Sequence, residues 1–119
     1  MTSENAQQPT DEQSGAGCRL VLCTCPNDVE ALSIAQRLVE ERLSACVNIL
    51  PRLRSIYRWQ GKVEQAEEYL LLIKTTSARF AFLRTRIQEL HSYDTPEIIA
   101  LDITEGSEKY LTWLEAQVS

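Results

Sequence analysis

The chain has 119 residues, 44% of them hydrophobic and 24% charged, with a formal net charge of −5 at pH 7. That length suits a single domain with a modest core. The acidic balance excludes a nucleic-acid backbone as main partner, since phosphate contacts call for clustered Lys and Arg in excess.

Residues 1–17 are rich in Ser, Glu, Gln, Thr and Gly and nearly free of large apolar side chains, so they read as a flexible polar tail that cannot offset the cost of ordering. The tail has neither the basic start nor the apolar stretch of a secretory leader. No apolar run elsewhere approaches the roughly 18–20 residues that cross a bilayer. The expectation is a cytoplasmic protein without a membrane partner, whose single folded domain spans 18–119. Its four cysteines, Cys18, Cys23, Cys25 and Cys46, then read as reduced thiols rather than as two disulfides.

Cys18 to Cys25 is a short apolar run closed by Pro26, which suits a strand buried on both faces. Asn27 or Asp28 caps the helix that follows, with Glu30 at the third position of a capping box if Asn27 is the cap. Val29, Leu32, Ala35 or Gln36, Val39 and Leu43 recur at helical spacing, and the helix should end near Ser44.

From Cys46 to Thr75 two apolar-rich runs flank Gln60-Gly61, where glycine can take the positive φ of a tight hairpin turn. With those two as turn residues, Arg54 faces Glu67, Tyr57 faces Glu64 and Ile56 faces Gln65, setting one pair of opposite charges across the strands. Pro51 requires an edge or a bulge in the first arm. Each arm is about a dozen residues, roughly 40 Å at about 3.3 Å per residue, whereas a compact chain of this size has a radius of gyration of about 13 Å. The hairpin should therefore overhang its own core, and Ile56, Tyr57, Trp59 and Val63 then need another chain to cover them.

Ser77 opens a second helix with the stripe Phe80, Leu83, Ile87 and Leu90, and His91 stands at or just past its end. Tyr93 to Pro96 is a loop, Glu97 to Ile103 a fourth strand, and Tyr110, Leu111, Leu114 and Val118 mark a terminal helix. The order β-α-β-β-α-β-α is that of an α+β, ferredoxin-like fold with helices on one face of an antiparallel sheet. Val21 and Leu22, like Leu71 and Leu72, point to opposite faces, so the second face also asks for burial, again by association.

Five stretches, Val21-Leu22-Cys23-Thr24, Glu41 to Asn48, Ser55 to Lys62, Ile73-Lys74-Thr75-Thr76 and His91 to Ile98, together resemble the CutA family of divalent-cation tolerance proteins, across Arg19 to Leu114. The resemblance implies a ferredoxin-like domain assembled as a homotrimer through long strands. It also implies a role in tolerance or response to copper and other divalent metals, with copper bound in some members. Carried over residue by residue, the family's metal ligands fall on Cys23 and His91; the other histidine of an adjacent pair falls on Leu90, and Ser92 stands where many members carry proline. The resemblance further suggests an inter-subunit cleft lined by Tyr57, Trp59, Lys74, Tyr93 and Glu97, for which plain interface packing is the alternative.

Thiolate and imidazole favour copper or zinc over magnesium or calcium, yet zinc sites use four donors, or three and a water. Cys23 and His91 alone are too few unless Asp94, Glu97 or a neighbouring subunit contributes. The bland reading is a buried strand cysteine and a solvated histidine at a helix C-terminus. Cys23 and Cys25 share a face and read either as a chelating pair or, preferably, as two small core residues. Arg52, Arg54 and Arg58 read as paired internally with Glu64, Glu67 and Glu68. A lone histidine, with no phosphate-cradling loop and no nucleophile motif, points to no enzyme and no organic cofactor. The rival function is a trimeric regulatory module of the PII type that senses a small ligand at the subunit cleft.

Overall fold

The structure, a computed structural model, describes residues 12–14 and 17–119. Its elements are β1 (Glu12–Ser14), β2 (Cys18–Cys25), α1 (Asp28–Glu40), β3 (Cys46–Trp59), β4 (Lys62–Thr76), α2 (Ser77–Leu90), β5 (Ile99–Asp102), β6 (Glu105–Ser107) and α3 (Glu108–Val118). Four strands form one antiparallel sheet in the order β3-β4-β2-β5. Val21, Cys23 and Cys25 of β2 and Leu71 and Ile73 of β4 meet Ala31, Ile34 and Leu38 of α1 and Leu83 and Ile87 of α2. That face holds the main core.

Local chemistry explains the hairpin. Gln60 and Gly61 both take positive φ, 50° and 80°, the pair of values a two-residue turn matched to strand twist requires. A Cβ built on Gly61 would touch nothing within 4 Å, so glycine is needed there for its backbone freedom alone. The register is the expected one, with Arg54 opposite Glu67, Ile56 opposite Gln65 and Tyr57 opposite Glu64. Pro51 lies in a bulge between Leu50 and Leu53, where Arg52 turns to φ 59°, and β3 is an edge strand, so the missing donor leaves no gap in the ladder. The radius of gyration is 16.8 Å and the longest dimension 57 Å, against about 13 Å for a compact chain of this length. Ile56, Trp59 and Val63 on the overhang are each at least 60% exposed.

The first helix departs from its expected packing and length. Asn27 caps it, its side chain accepting from the Glu30 N–H at 2.9 Å. The buried stripe, however, is Ala31, Ile34, Ala35 and Leu38, while Val29, Leu32 and Val39 face outward. Two stripes compete on this helix, and the one bearing Ile34 and Leu38 wins because Ala31 and Ala35 let the helix lie close against the sheet. The helix stops at Glu40 rather than near Ser44. Arg42 swings to φ 59° and the Leu43 N–H folds back onto the Leu38 carbonyl at 2.9 Å, a left-handed termination that still delivers Leu43 to the core.

α2 buries Leu83 and Ile87, with Phe80 and Leu90 half-buried beside them, as its periodicity predicts. The fourth strand of the sheet is shorter than expected, Ile99–Asp102 instead of Glu97 to Ile103. Its ladder reaches only Leu22 of β2, and the Thr24 carbonyl two residues on accepts from His91 instead. Gly106-Ser107, which reads from the sequence as simple punctuation, belongs to a strand, Glu105–Ser107, paired with Glu12–Ser14. Within the expected flexible tail those three residues are thus held by backbone pairing, which needs no apolar side chain; residues 1–11 and 15–16 lie outside the described residues. Leu111, Leu114 and Val118 of α3 close a smaller core with Cys18 and Ala45, whereas Tyr110, expected in that stripe, is exposed. Gly106 sits under Leu111, where a Cβ would come within 3.2 Å of that side chain.

Directly paired residues share a face, so Leu22 with Leu72 and Ile99, Leu20 with Leu101, and Leu50 with Leu70 make the sheet's second face apolar as well. Leu50, Ile99 and Leu101 on it are 44–49% exposed.

If Ile34 rather than Leu32 faces the core, Ile34→Ala should lower the unfolding free energy by roughly 2–5 kcal/mol, and Leu32→Ala by no more than about 0.5 kcal/mol. Urea unfolding at one fixed protein concentration measures both, and equal losses would refute the packing described.

Candidate metal centre

β2 ends beside the junction of both main-core helices, and strand alternation turns Cys23 and Cys25 to the helix side. α2 ends at His91, whose N–H closes the last turn on the Ile87 carbonyl at 2.8 Å. The extended backbone there turns the imidazole back to the strand. The thiols of Cys23 and Cys25 and a nitrogen of His91 all lie within 4.8 Å of one another, and all three residues are buried. Cys25 enters as a third donor that the resemblance had not assigned; its Cys-x-Cys spacing was the available signal.

The ring is held from several sides. Nε2–H donates to the Thr24 carbonyl at 2.7 Å, and Nδ1 accepts from the Tyr93 N–H at 3.1 Å. Glu30 brings its Oε2 to 3.3 Å from Nδ1, and the same oxygen accepts from the Ser92 N–H at 2.9 Å and the Ser92 hydroxyl at 3.0 Å. Tyr93 lies over the imidazole with centroids 4.7 Å apart. His91 is therefore not the solvated residue of the bland reading; its side chain is fully buried. Glu30 likewise does more than its helix position predicts. It ties α1 to the loop after α2.

The three groups perturb one another's protonation. The Cys25 thiol is lowered to about 6, first by a hydrogen bond from Cys23, then against burial by the hydrogen bond and charge of His91. Cys23 is pushed far up, by that same hydrogen bond, by burial and by the Cys25 charge. Burial works against a charged His91, but the hydrogen bonds to Cys25 and the Thr24 carbonyl, with the Cys25 and Glu30 charges, outweigh it and raise its pKa. Within the cluster the Cys25 thiol is thus the more acidic of the two, and the His91 imidazole holds its proton more tightly than a free one. By linkage, Cys25 contributes stability that is complete above its ordinary value of 9.0 and is lost as pH falls through about 6. His91 contributes stability that is complete below its ordinary 6.5 and is lost as pH rises through its raised value.

The residues expected to line a cleft are only partly gathered by one chain, which brings Tyr57 near enough to Tyr93 to act on its hydroxyl. Tyr57 and Trp59 stand on the overhang, while Lys74 lies beside Cys46, 12 residues along β4 from the Lys62 that faces Trp59, roughly 40 Å away along the strand. Lys74 Nζ meets Asn48 Oδ1 and lies 3.8 Å from the Cys46 sulfur. The Tyr93 hydroxyl donates to Glu68 at 2.8 Å, and burial with that carboxylate raises its pKa. Glu68, expected to pair with the nearby arginines, is instead buried against Tyr93. Glu97 is exposed in the loop before β5.

A small α+β protein is thus defined, with an antiparallel sheet and a buried cluster of two thiols and an imidazole. Residues 19–117 match the family described as CutA1 divalent ion tolerance protein. A divalent-cation tolerance protein CutA of Thermus thermophilus is 56% identical over 95 residues, 80% of this chain and 92% of that protein. The solved structure of a divalent cation tolerance protein (Cut A1) from Thermus thermophilus has a TM-score of 0.84 and 52% identity, covering 86% of this chain and 99% of that one. The structure of the periplasmic divalent cation tolerance protein CutA from Archaeoglobus fulgidus has a TM-score of 0.83 and 40% identity, covering 86% and 99%. The chain belongs to the CutA1 divalent ion tolerance family.

His91→Ala removes a hydrogen bond and a positive charge from Cys25, so the ultraviolet titration of its thiolate should move upward from about pH 6. An unmoved midpoint would show that the two groups do not interact.

Proposed function

We propose that this chain is a copper tolerance or response protein that acts as a cytoplasmic homotrimer of ferredoxin-like subunits, each with residues 18–119 as its folded domain, and binds its ion through Cys23 and His91. The observation that carries the reading is the buried meeting of a strand thiol and a helix-terminal imidazole. Soft sulfur and borderline nitrogen suit copper or zinc and not magnesium or calcium. Free cysteines at four positions accord with a reducing compartment, and no described helix is long and apolar enough to cross a membrane. The role is non-enzymatic, in keeping with relatives named for tolerance.

Assembly follows from uncovered surface. The second face of the sheet and the overhanging hairpin both leave leucine, isoleucine and aromatic area in water, which at about 25 cal/mol per Å² favours association. A trimer built through these strands would bring Tyr57 and Trp59 of one subunit to Lys74, Tyr93 and Glu97 of the next as a shared cleft.

Titration of the apo protein with Cu(I) and Cu(II) tests the site. Cys23→Ser and His91→Ala should each weaken binding, and wild-type affinity should decline below about pH 6 as protons compete for the donors; unchanged binding in both variants would eliminate the site. Light scattering tests the assembly independently. A mass three times that of the chain is expected at micromolar concentration, and the mass of a single chain would refute it.

A further inference from the structure

We propose that Cys25 is a metal ligand in its own right, completing with Cys23 and His91 a two-sulfur, one-nitrogen trap that selects monovalent copper over hydrated divalent ions. The inference rests on the metal-binding reading above and names the third donor and the ionic class it favours. Three independent features of the chain converge on it.

The first is geometry. Cys23 and Cys25 are alternate residues of one strand and project to the same side. Thr24 lies between them, and its carbonyl is the partner of His91 Nε2 at 2.7 Å, so this nitrogen is the one turned to the strand that carries both thiols. The mutual separation of at most 4.8 Å is within about 1 Å of the roughly 3.7–4.0 Å between donors spread about one ion, given metal–sulfur and metal–nitrogen bonds of roughly 2.3 and 2.0 Å. Small side-chain rotations close the difference.

The second is the support behind the ring. A metal-bound imidazole usually offers its other N–H to a carboxylate. Here Glu30 Oε2 already stands 3.3 Å from Nδ1, and Ser92 holds that oxygen by two hydrogen bonds. Capture of an ion by Nε2 would release the Thr24 carbonyl and require the ring proton on Nδ1, where it would face Glu30 and displace the Tyr93 N–H that Nδ1 otherwise accepts.

The third is dryness. Cys23 and Cys25 are fully buried, and His91 is 8% exposed. A catalytic-type zinc site keeps a water as fourth ligand and a closed one uses four protein donors; three buried side chains supply neither arrangement. A monovalent d10 ion is satisfied by fewer donors, and soft thiolates prefer it. The nearest carboxylate, Glu30, stands behind the ring on its Nδ1 side and is held there by Ser92, and Asp94 and Glu97 are exposed, so among the described residues no carboxylate oxygen joins the group of two thiols and one imidazole nitrogen.

The test uses the full chain under reducing, oxygen-free conditions, with Cu(I) and Zn(II) each competed against a coloured chelator. Cys25→Ala should lose more than roughly 10-fold in Cu(I) affinity, the loss that changes behind the ligands already cause, while Cys46→Ser, outside the cluster, binds as wild type. X-ray absorption of the wild-type copper complex should report two sulfur scatterers and one nitrogen, a readout that does not depend on whether any variant folds. Cu(I) affinity retained in a folded Cys25→Ala, a single sulfur in the spectrum, or tighter zinc than Cu(I) binding in the wild type would each overturn the proposal while leaving Cys23 and His91 as ligands. A wild-type protein that binds no copper would instead refute the metal-binding reading and this inference with it.

Discussion

β2 lies between β4 and β5 and is apolar on both sides, and the rest of the molecule answers the need to cover it twice. α1 and α2 cover the face of Val21, Cys23 and Cys25. That packing makes a core and also makes the end of the strand dry enough for two thiols and an imidazole to shift one another's protonation. Among the described residues the opposite face, through Leu20 and Leu22, has no such layer over most of its length. α3 reaches only the Cys18 end. One demand for burial thus explains both the chemistry on one side of the sheet and the unmet apolar surface on the other.

The cluster at the end of β2 is also where the chain handles its most difficult polar groups. Burying an imidazole and a carboxylate without partners would cost several kcal/mol, yet among the described residues no buried side-chain nitrogen or oxygen lacks a hydrogen-bond partner. Thr24, Glu30 and Tyr93 supply the partners of the His91 ring from three different positions in the sequence, and Ser92 holds Glu30 in place. The loop after α2 is held to α1 chiefly through the single Oε2 of Glu30.

The hairpin shows a different division between stability and exposure. Its β3–β4 ladder is continuous apart from the bulge at Pro51, so the backbone is satisfied over its full length, including the part that leaves the core. What lies uncovered there is side-chain surface. A two-stranded ribbon in water is only marginally stable alone, and its first half is secured by β2 pairing with β4 from Cys18 to Cys25. Among the described residues the second half, from Arg54 to Gln65, pairs in the sheet only across the hairpin itself.

Much of what depends on neighbours in sequence was legible beforehand, though not the end of α1 at Glu40. The Gln60-Gly61 turn and its register, the Asn27 cap, the bulge at Pro51, the Leu83–Ile87 stripe of α2 and the order of the four main strands and three helices follow from local backbone preferences and short-period patterning, which act over a few residues. The tertiary structure decided the remainder. It chose Ile34 and Leu38 over Leu32 and Val39 as the inner face of α1, because a helix with two apolar stripes is oriented by the surface it meets. It recruited Cys25 and Glu30 to His91, whose numbers lie more than 60 apart, and it paired Glu12–Ser14 with Glu105–Ser107. Such meetings depend on how the elements pack in three dimensions, and no periodicity along the chain records them.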